Sequence, residues 1–293
     1  MKLRTLFGPV VVALAFVPAG CALAPAGDER IVESATGRTL TRAELLQRLR
    51  ASDYVLLGEL HDNPLHHRRR GELIAALGPG TAVIAEQLTF GRRVAAQGDL
   101  LPALNAAGFD ARGWGWPLHE PLFAAVRQAG LPLAGGNLER DVVRRIAREG
   151  EAAWPDELAH ALRAAPLATA AQETLDTDLR AGHCGQLPDS RVPAMRAAQR
   201  ARDAALALAL QGSGGHPAVL VAGNGHVRPD YGVPRVLAAL QPRARITSVA
   251  FVELAAPGEA ATGDYRWITP AAAREDPCAG APVIRSGTGP NAG

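Results

Sequence analysis

The chain has 293 residues, 47% of them hydrophobic, with a formal charge of +2, which suits one globular domain with a large core. Lys2 is the only lysine among abundant arginines, and aromatics make up 4%. No basic stripe with interleaved aromatics is present, so nucleic acid is set aside as a partner.

Lys2 and Arg4 precede an apolar run from Leu6 to Val17 that reaches Ala19-Gly20-Cys21. A charged start, an apolar middle and small residues before a cleavage point predict a signal peptide over 1–20. The run is short for a membrane span. Cys after Ala-Gly resembles a bacterial lipobox with Cys21 acylated, although Pro18 replaces the usual Leu; unlipidated cleavage is the alternative. The reading is a lipid anchor on a bacterial membrane surface, a tether over 21–35, an exported domain over 36–275 and a flexible tail over 276–293. Ala22 lacks the Asp that often retains such proteins at the inner membrane, which favours the outer one, with the domain in the periplasm or at the cell surface. In an oxidising compartment Cys184 and Cys278 are expected to pair; two free thiols are the plain alternative.

Residues 41–50 read as a helix with Leu45, Leu46 and Leu49 on one face, 54–57 as a strand, and 65–77 as a helix stopped by Gly78-Pro79-Gly80. A strand follows over 81–86, then a helix over 121–129, a strand over 131–134 and a helix over 141–149. The stretch 154–211 holds no strand-like run and reads as a helical insertion. Beyond it come a strand over 218–222, a helix over 233–240, a long strand over 246–254 and an edge strand over 265–268. Short apolar strands alternating with helices predict an α/β fold, a mainly parallel sheet covered by helices on both faces.

Ligands of such sheets collect at the carboxyl ends of the strands. There the chain places Glu59 and His61, Glu86-Gln87, Gly135-Gly136-Asn137, and Gly223-Asn224-Gly225-His226. Two Gly-x-x-His turns on one rim bring His61 and His226 together, where imidazole ligates a metal, holds haem iron or acts as a base. Glu59 and Glu86 suit metal ligands, bases or carboxylates that orient a histidine; ion pairing with a rim arginine is the plain alternative. His66 and His67 open a helix, so at most one is expected to share the site, with the other solvated. Met195 is either core filler or packing near a haem. Tyr231 is either a core residue or a phenolate ligand of ferric haem. There is no Gly-x-Ser-x-Gly elbow, P-loop or His-Glu-x-x-His helix, which argues against a serine hydrolase, a nucleotide-driven enzyme and a typical zincin.

Several blocks together resemble the ChaN-type haem-binding lipoproteins. They are Gly58-Glu59-x-His61-Asp62-Asn63, Trp116-Pro117, Asn137-Leu138, His183-Cys184-Gly185-x-Leu187-Pro188, Gln199-Arg200-x-Arg202-Asp203 and Gly223-Asn224-Gly225-His226-x-Arg228-x-Asp230-Tyr231-Gly232-Val233-Pro234. That family sits in a wider group with Tiki-type metalloproteases and erythromycin-esterase-like hydrolases. The resemblance implies haem binding in iron acquisition, a possible homodimer and haem-transport components as partners. On the haem reading the preferred axial ligands are His226 or Tyr231, then His61, with Met195 facing the haem slot and Arg228 or Arg235 at the propionates. The competing reading is a hydrolase with a divalent metal such as manganese or cobalt on His61, His226, Glu59 and Glu86, or a rim histidine as base. A third is a lipid-anchored scaffold.

Overall fold

The structure, a computed structural model, describes residues 29–254, 263–276 and 278–279. The predicted signal peptide, Cys21 and most of the predicted tail lie outside the described residues. Among the described residues no helix is long and apolar enough to cross a membrane.

One eight-stranded sheet organises the chain. Strand β1 (Arg30–Glu33) and β2 (Thr39–Leu40) form an antiparallel pair. Helix α1 (Arg42–Arg50) starts at a capping box, in which Thr41 and Glu44 each accept the other's backbone N–H. Strand β3 (Tyr54–Leu57) is wholly buried. Helix α2 (Pro64–Leu77) leads to β4 (Ala82–Thr89), and α3 (Leu100–Ala106) and α4 (Glu120–Gln128) lead to β5 (Leu133–Asn137). A long helical passage follows: α5 (Arg140–Glu149), α6 (Asp156–Ala164), α7 (Thr169–Gly182) and α8 (Val192–Gln211). Strand β6 (Ala218–Val221), helix α9 (Val233–Leu240), β7 (Ile246–Glu253) and β8 (Tyr265–Thr269) complete the chain. The strand order is β2-β1-β8-β7-β3-β6-β4-β5. Every pairing from β8 across to β5 is parallel, and β1 runs antiparallel to β8.

The mainly parallel sheet is the expected class, with three differences. The sheet begins at Arg30, inside the stretch assigned to the tether. Strand β8 is interior, held between β7 and β1; its cover is a four-residue strand whose polar ends hide it in the sequence. The passage 154–211 is not all insertion, because α8 packs on β4, β5 and β6 as the regular covering helix of that face. Cys184 and Cys278 are disulfide-bonded, joining the loop after α7 to the C-terminal segment.

Alternation along the strands separates two cores. Val55, Leu57, Val83, Ala85, Val219 and Val221 face α1 to α4. Tyr54, Leu56, Ile84, Ala218 and Leu220 face α5, α6, α8 and α9. A fully buried leucine such as Leu56 or Leu220 contributes about 1.5–3 kcal/mol. A one-residue slip would invert every such side chain, so register is strongly fixed. The same alternation sends Glu86 to the α8 face and Gln87 to the α2 face of β4.

Candidate functional site at the strand ends

On the α2 face, Glu59 follows β3 and is fully buried. Its Oε1 lies 2.8 Å from His61 Nδ1 and accepts from Gln87 Nε2 at 3.0 Å. Its Oε2 forms an ion pair with the buried Arg70 guanidinium and lies 2.9 Å from His67 Nδ1. Arg70 is on α2, whose start is set by Asn63 accepting from Leu65 N at 2.9 Å and by Pro64 in the first turn. Glu59 thus both orients a histidine and pairs with an arginine.

His66 and His67 correct the expectation that one of them is solvated: both are fully buried. The loop from Glu59 to Asn63 folds back over the start of α2 and roofs them. His67 Nε2 donates to the His61 carbonyl at 2.9 Å. His66 Nδ1 accepts from Leu60 N at 3.1 Å, and its Nε2 lies 2.9 Å from Thr269 Oγ1. Burial lowers each pKa to about 4, leaving both neutral. They pin the loop that carries His61.

His119, at the start of α4, is a site residue that the sequence did not single out. It is fully buried, with its ring centroid 4.0 Å from that of His67. Its Nε2 is 3.7 Å from Glu59 Oε1, beyond hydrogen-bonding range. Among the described residues neither ring nitrogen meets strict hydrogen-bond geometry with a partner; burial pushes its pKa far down, against a weaker opposing contact with the Trp114 backbone. Glu59, His61 and His119 each offer a ligand atom within 4.8 Å of the others. Its one signal in the sequence is the Trp116-Pro117 block just upstream.

On the α8 face, Glu86 Oε2 accepts from Gly223 N at 2.8 Å, and its Oε1 is 3.4 Å from His226 Nε2. His226 Nδ1 lies 2.6 Å from Asp203 Oδ1 on α8. Burial opposes charge on His226, but Glu86 and Asp203 outweigh it and raise the pKa to about 10. Burial likewise opposes charge on Glu86, yet His226 holds that carboxyl far below the usual range.

Five residues expected at the haem are held in contacts of their own or lie off the cleft. His226 has Nδ1 against Asp203 and Nε2 facing Glu86, so both ring nitrogens are engaged within the chain. Tyr231 is buried and donates to Asp178 Oδ2 at 2.6 Å; burial and Asp178 raise its pKa, which keeps the phenol protonated. Arg228 bonds to Asp230 at 2.8 Å and stacks 4.8 Å over the Tyr231 ring. Arg235 donates to the Pro166 carbonyl at 3.0 Å. Met195 is half-buried on α8 and does not line the cleft beside the site.

The two faces meet at His61. Its side chain is 46% exposed, and its ring lies 5.1 Å edge-on from Trp114. A Cβ at Gly223 would stand 2.9 Å from His61 Nε2 and 3.7 Å from Glu86 Oε2, so the missing side chain opens the space between them. His61 and His226 therefore flank Glu86 on one rim. Beside them runs a cleft of ≈ 760 Å³ lined by Glu86, Gln87, Phe109, Trp114, Arg140 and Arg202, among others.

A family model described as haem-binding uptake, Tiki superfamily, ChaN, matches residues 45–237. Among solved structures, ChaN of Campylobacter jejuni, described with cofacial haem binding, superposes with a TM-score of 0.66 at 18% identity over 82% of this chain and 96% of that one. The type III effector HopBA1 reaches a TM-score of 0.43 at 15% identity, covering 85% of this chain and 99% of that one. An erythromycin esterase EreC mutant reaches 0.38 at 16% identity, covering 80% of each. No curated protein sequence matches significantly. With four of the eight strands and both Gly-x-x-His turns inside the matched span, the chain belongs to the haem-binding uptake family of the Tiki superfamily, the ChaN family.

Proposed function

We propose that the protein is a membrane-anchored haem-binding protein serving haem or iron acquisition, with His61 as the axial ligand. The observation that carries this reading is the state of the His61 ring. Nδ1 rests on the Glu59 carboxylate at 2.8 Å, and Nε2 is the ring nitrogen turned toward Gly223 and the rim. A carboxylate on the second ring nitrogen fixes the tautomer and raises ligand basicity, and haem iron takes a histidine of this kind. Trp114 and Phe109 supply an apolar wall to the adjoining cleft. The residues present fit the group: haem brings the iron, and this chain orients the ligand, shields one side and supplies cations. Cofacial haem binding, described for the Campylobacter jejuni protein, makes a homodimer the proposed assembly here. The lipobox-like Cys21 supports anchoring, with the outer membrane and haem-transport components as proposed surroundings.

Titration of the exported domain with haem tests this. A Soret shift is expected in the wild type and in Tyr231→Phe, and its loss is expected in His61→Ala. No shift at micromolar haem, or a shift that survives His61→Ala unchanged, overturns the reading.

One observation favours a second reading, a divalent-metal hydrolase: the buried His119 places a ligand atom within 4.8 Å of those of Glu59 and His61. The holding set is then Glu59, His61 and His119 in place of His61, His226, Glu59 and Glu86, since Glu86 and His226 are paired with each other. A bound divalent ion would supply an activated water. Protein purified without chelator should then carry metal or take up manganese or cobalt, and uptake unaffected by His119→Phe removes this reading.

A further inference from the structure

The cleft beside His61 holds a cation that no acid among the described residues answers. The acids on its wall are each matched: Glu86 by His226 at 3.4 Å, Asp110 by Arg140, Asp141 by Arg144 at 3.3 Å and Glu139 by Arg92 at 3.4 Å. Arg202 differs. Among the described residues no carboxylate lies within 4.0 Å of its guanidinium, and its Nε is buried without a hydrogen-bond partner. Arg202 lines the cleft and is half-buried there, so its charge is left to an anion that arrives from the cleft.

Neighbours on α8 fix its direction. Gln199, Arg202 and Asp203 fall at helical spacing on one face, and Asp203 and Gln199 contact the His226 ring at 2.6 Å and 3.2 Å. Opposite them begins α5, ten residues long, with no side chain capping its first turn. Leu138 to Asp141, with Val143 and Arg144, line the cleft, so the open N–H groups of that turn and the positive end of its dipole border the same space. The acids on this turn offset little of that field: the Asp141 and Glu139 side chains are 93% and 62% exposed, where water and salt screen them.

We propose that Arg202 and the first turn of α5 form a carboxylate-binding subsite of the cleft. The ligand class is an organic acid with an extended apolar body; on the haem reading, on which only this identity rests, the group is a porphyrin propionate. A planar guanidinium takes a carboxylate through two parallel hydrogen bonds. This assigns to Arg202 the task expected of Arg228 or Arg235.

The test compares haem with its dimethyl ester, whose propionates carry no charge, on the full exported domain. Wild-type protein is expected to bind haem about ten-fold or more tightly than the ester, the scale of one charge-assisted hydrogen bond. Arg202→Gln should lose that margin for haem, lose nothing further for the ester, and keep the wild-type Soret position. Equal affinities for the two ligands in the wild type, which needs no variant to fold, overturn the proposal. Equal losses for both ligands in Arg202→Gln do so too. If wild-type protein shows no Soret shift, the haem reading fails by itself. Iron-free protoporphyrin IX, followed by tryptophan fluorescence quenching, then decides the subsite: binding that falls ten-fold in Arg202→Gln upholds it, and no binding, or binding indifferent to Arg202, overturns it.

Discussion

At the scale of single residues, Glu59 carries more of the site than either histidine that marks it in the sequence. One carboxylate orients His61, takes a hydrogen bond from Gln87 and is the counter-ion of a fully buried arginine. Replacing it by glutamine keeps the shape and removes the charge, which leaves the Arg70 guanidinium unpaired in the core. Breaking a buried pair from one side costs about 3–5 kcal/mol, whereas removing both partners costs much less. Glu59→Gln should therefore lower stability to denaturant by about that amount, and adding Arg70→Met should recover a large part of it. A loss under about 1 kcal/mol, or a double variant no better than the single one, would show that Arg70 finds its balance elsewhere.

Between elements, the two Gly-x-x-His turns pack on each other, and Gly58 makes this possible. A Cβ there would come 2.7 Å from Val227 Cγ2 and overlap Asn224 Oδ1. Asn224 cannot simply swing aside, because its Nδ2 donates to the Phe251 carbonyl at 2.8 Å. Overpacking of this kind costs about 1–3 kcal/mol, so Gly58→Ala is expected to lower the urea midpoint with an unchanged slope and to displace the turn carrying His226. A midpoint equal to wild type would mean that the turns are not in register-critical contact. These turns were legible in the sequence because a buried parallel strand is a short apolar run and the glycine and histidine follow it directly. The register of β1 on β8 was not, since Arg30-Ile31-Val32-Glu33 is half polar and its partner lies near the other end of the chain. His119 escaped for a similar reason. Its meaning comes from the His67 ring and Glu59, which only the packing of α2 on α4 brings near. His66 and His67 were misplaced because helix periodicity says nothing of a loop folded over the helix start.

Across the whole molecule, the two faces of the sheet store charge in opposite senses, and stability should follow pH accordingly. His226 has a folded pKa of about 10 against an ordinary 6.5. Its charge is needed on the α8 face, so its contribution is complete below pH 6.5 and is lost as pH rises to about 10. His66 and His67, with folded values of about 4 against 6.5, must stay neutral on the α2 face. The unfolded chain protonates them first, so their contribution is complete above pH 6.5 and is lost as pH falls to about 4. The lowered Glu86 carboxyl steepens the acid limb below its ordinary 4.5. Each proton taken up or released contributes a slope of at most about 1.4 kcal/mol per pH unit. Thermal melts between pH 4 and pH 10 should therefore peak near pH 6.5 and decline on both sides, and His226→Gln should flatten the alkaline limb, keep the part of the acid limb set by His66 and His67, and soften it below pH 4.5, where Glu86 loses its partner. An alkaline limb that persists undiminished in that variant would mean that the Glu86–His226–Asp203 cluster holds no extra proton in the folded protein.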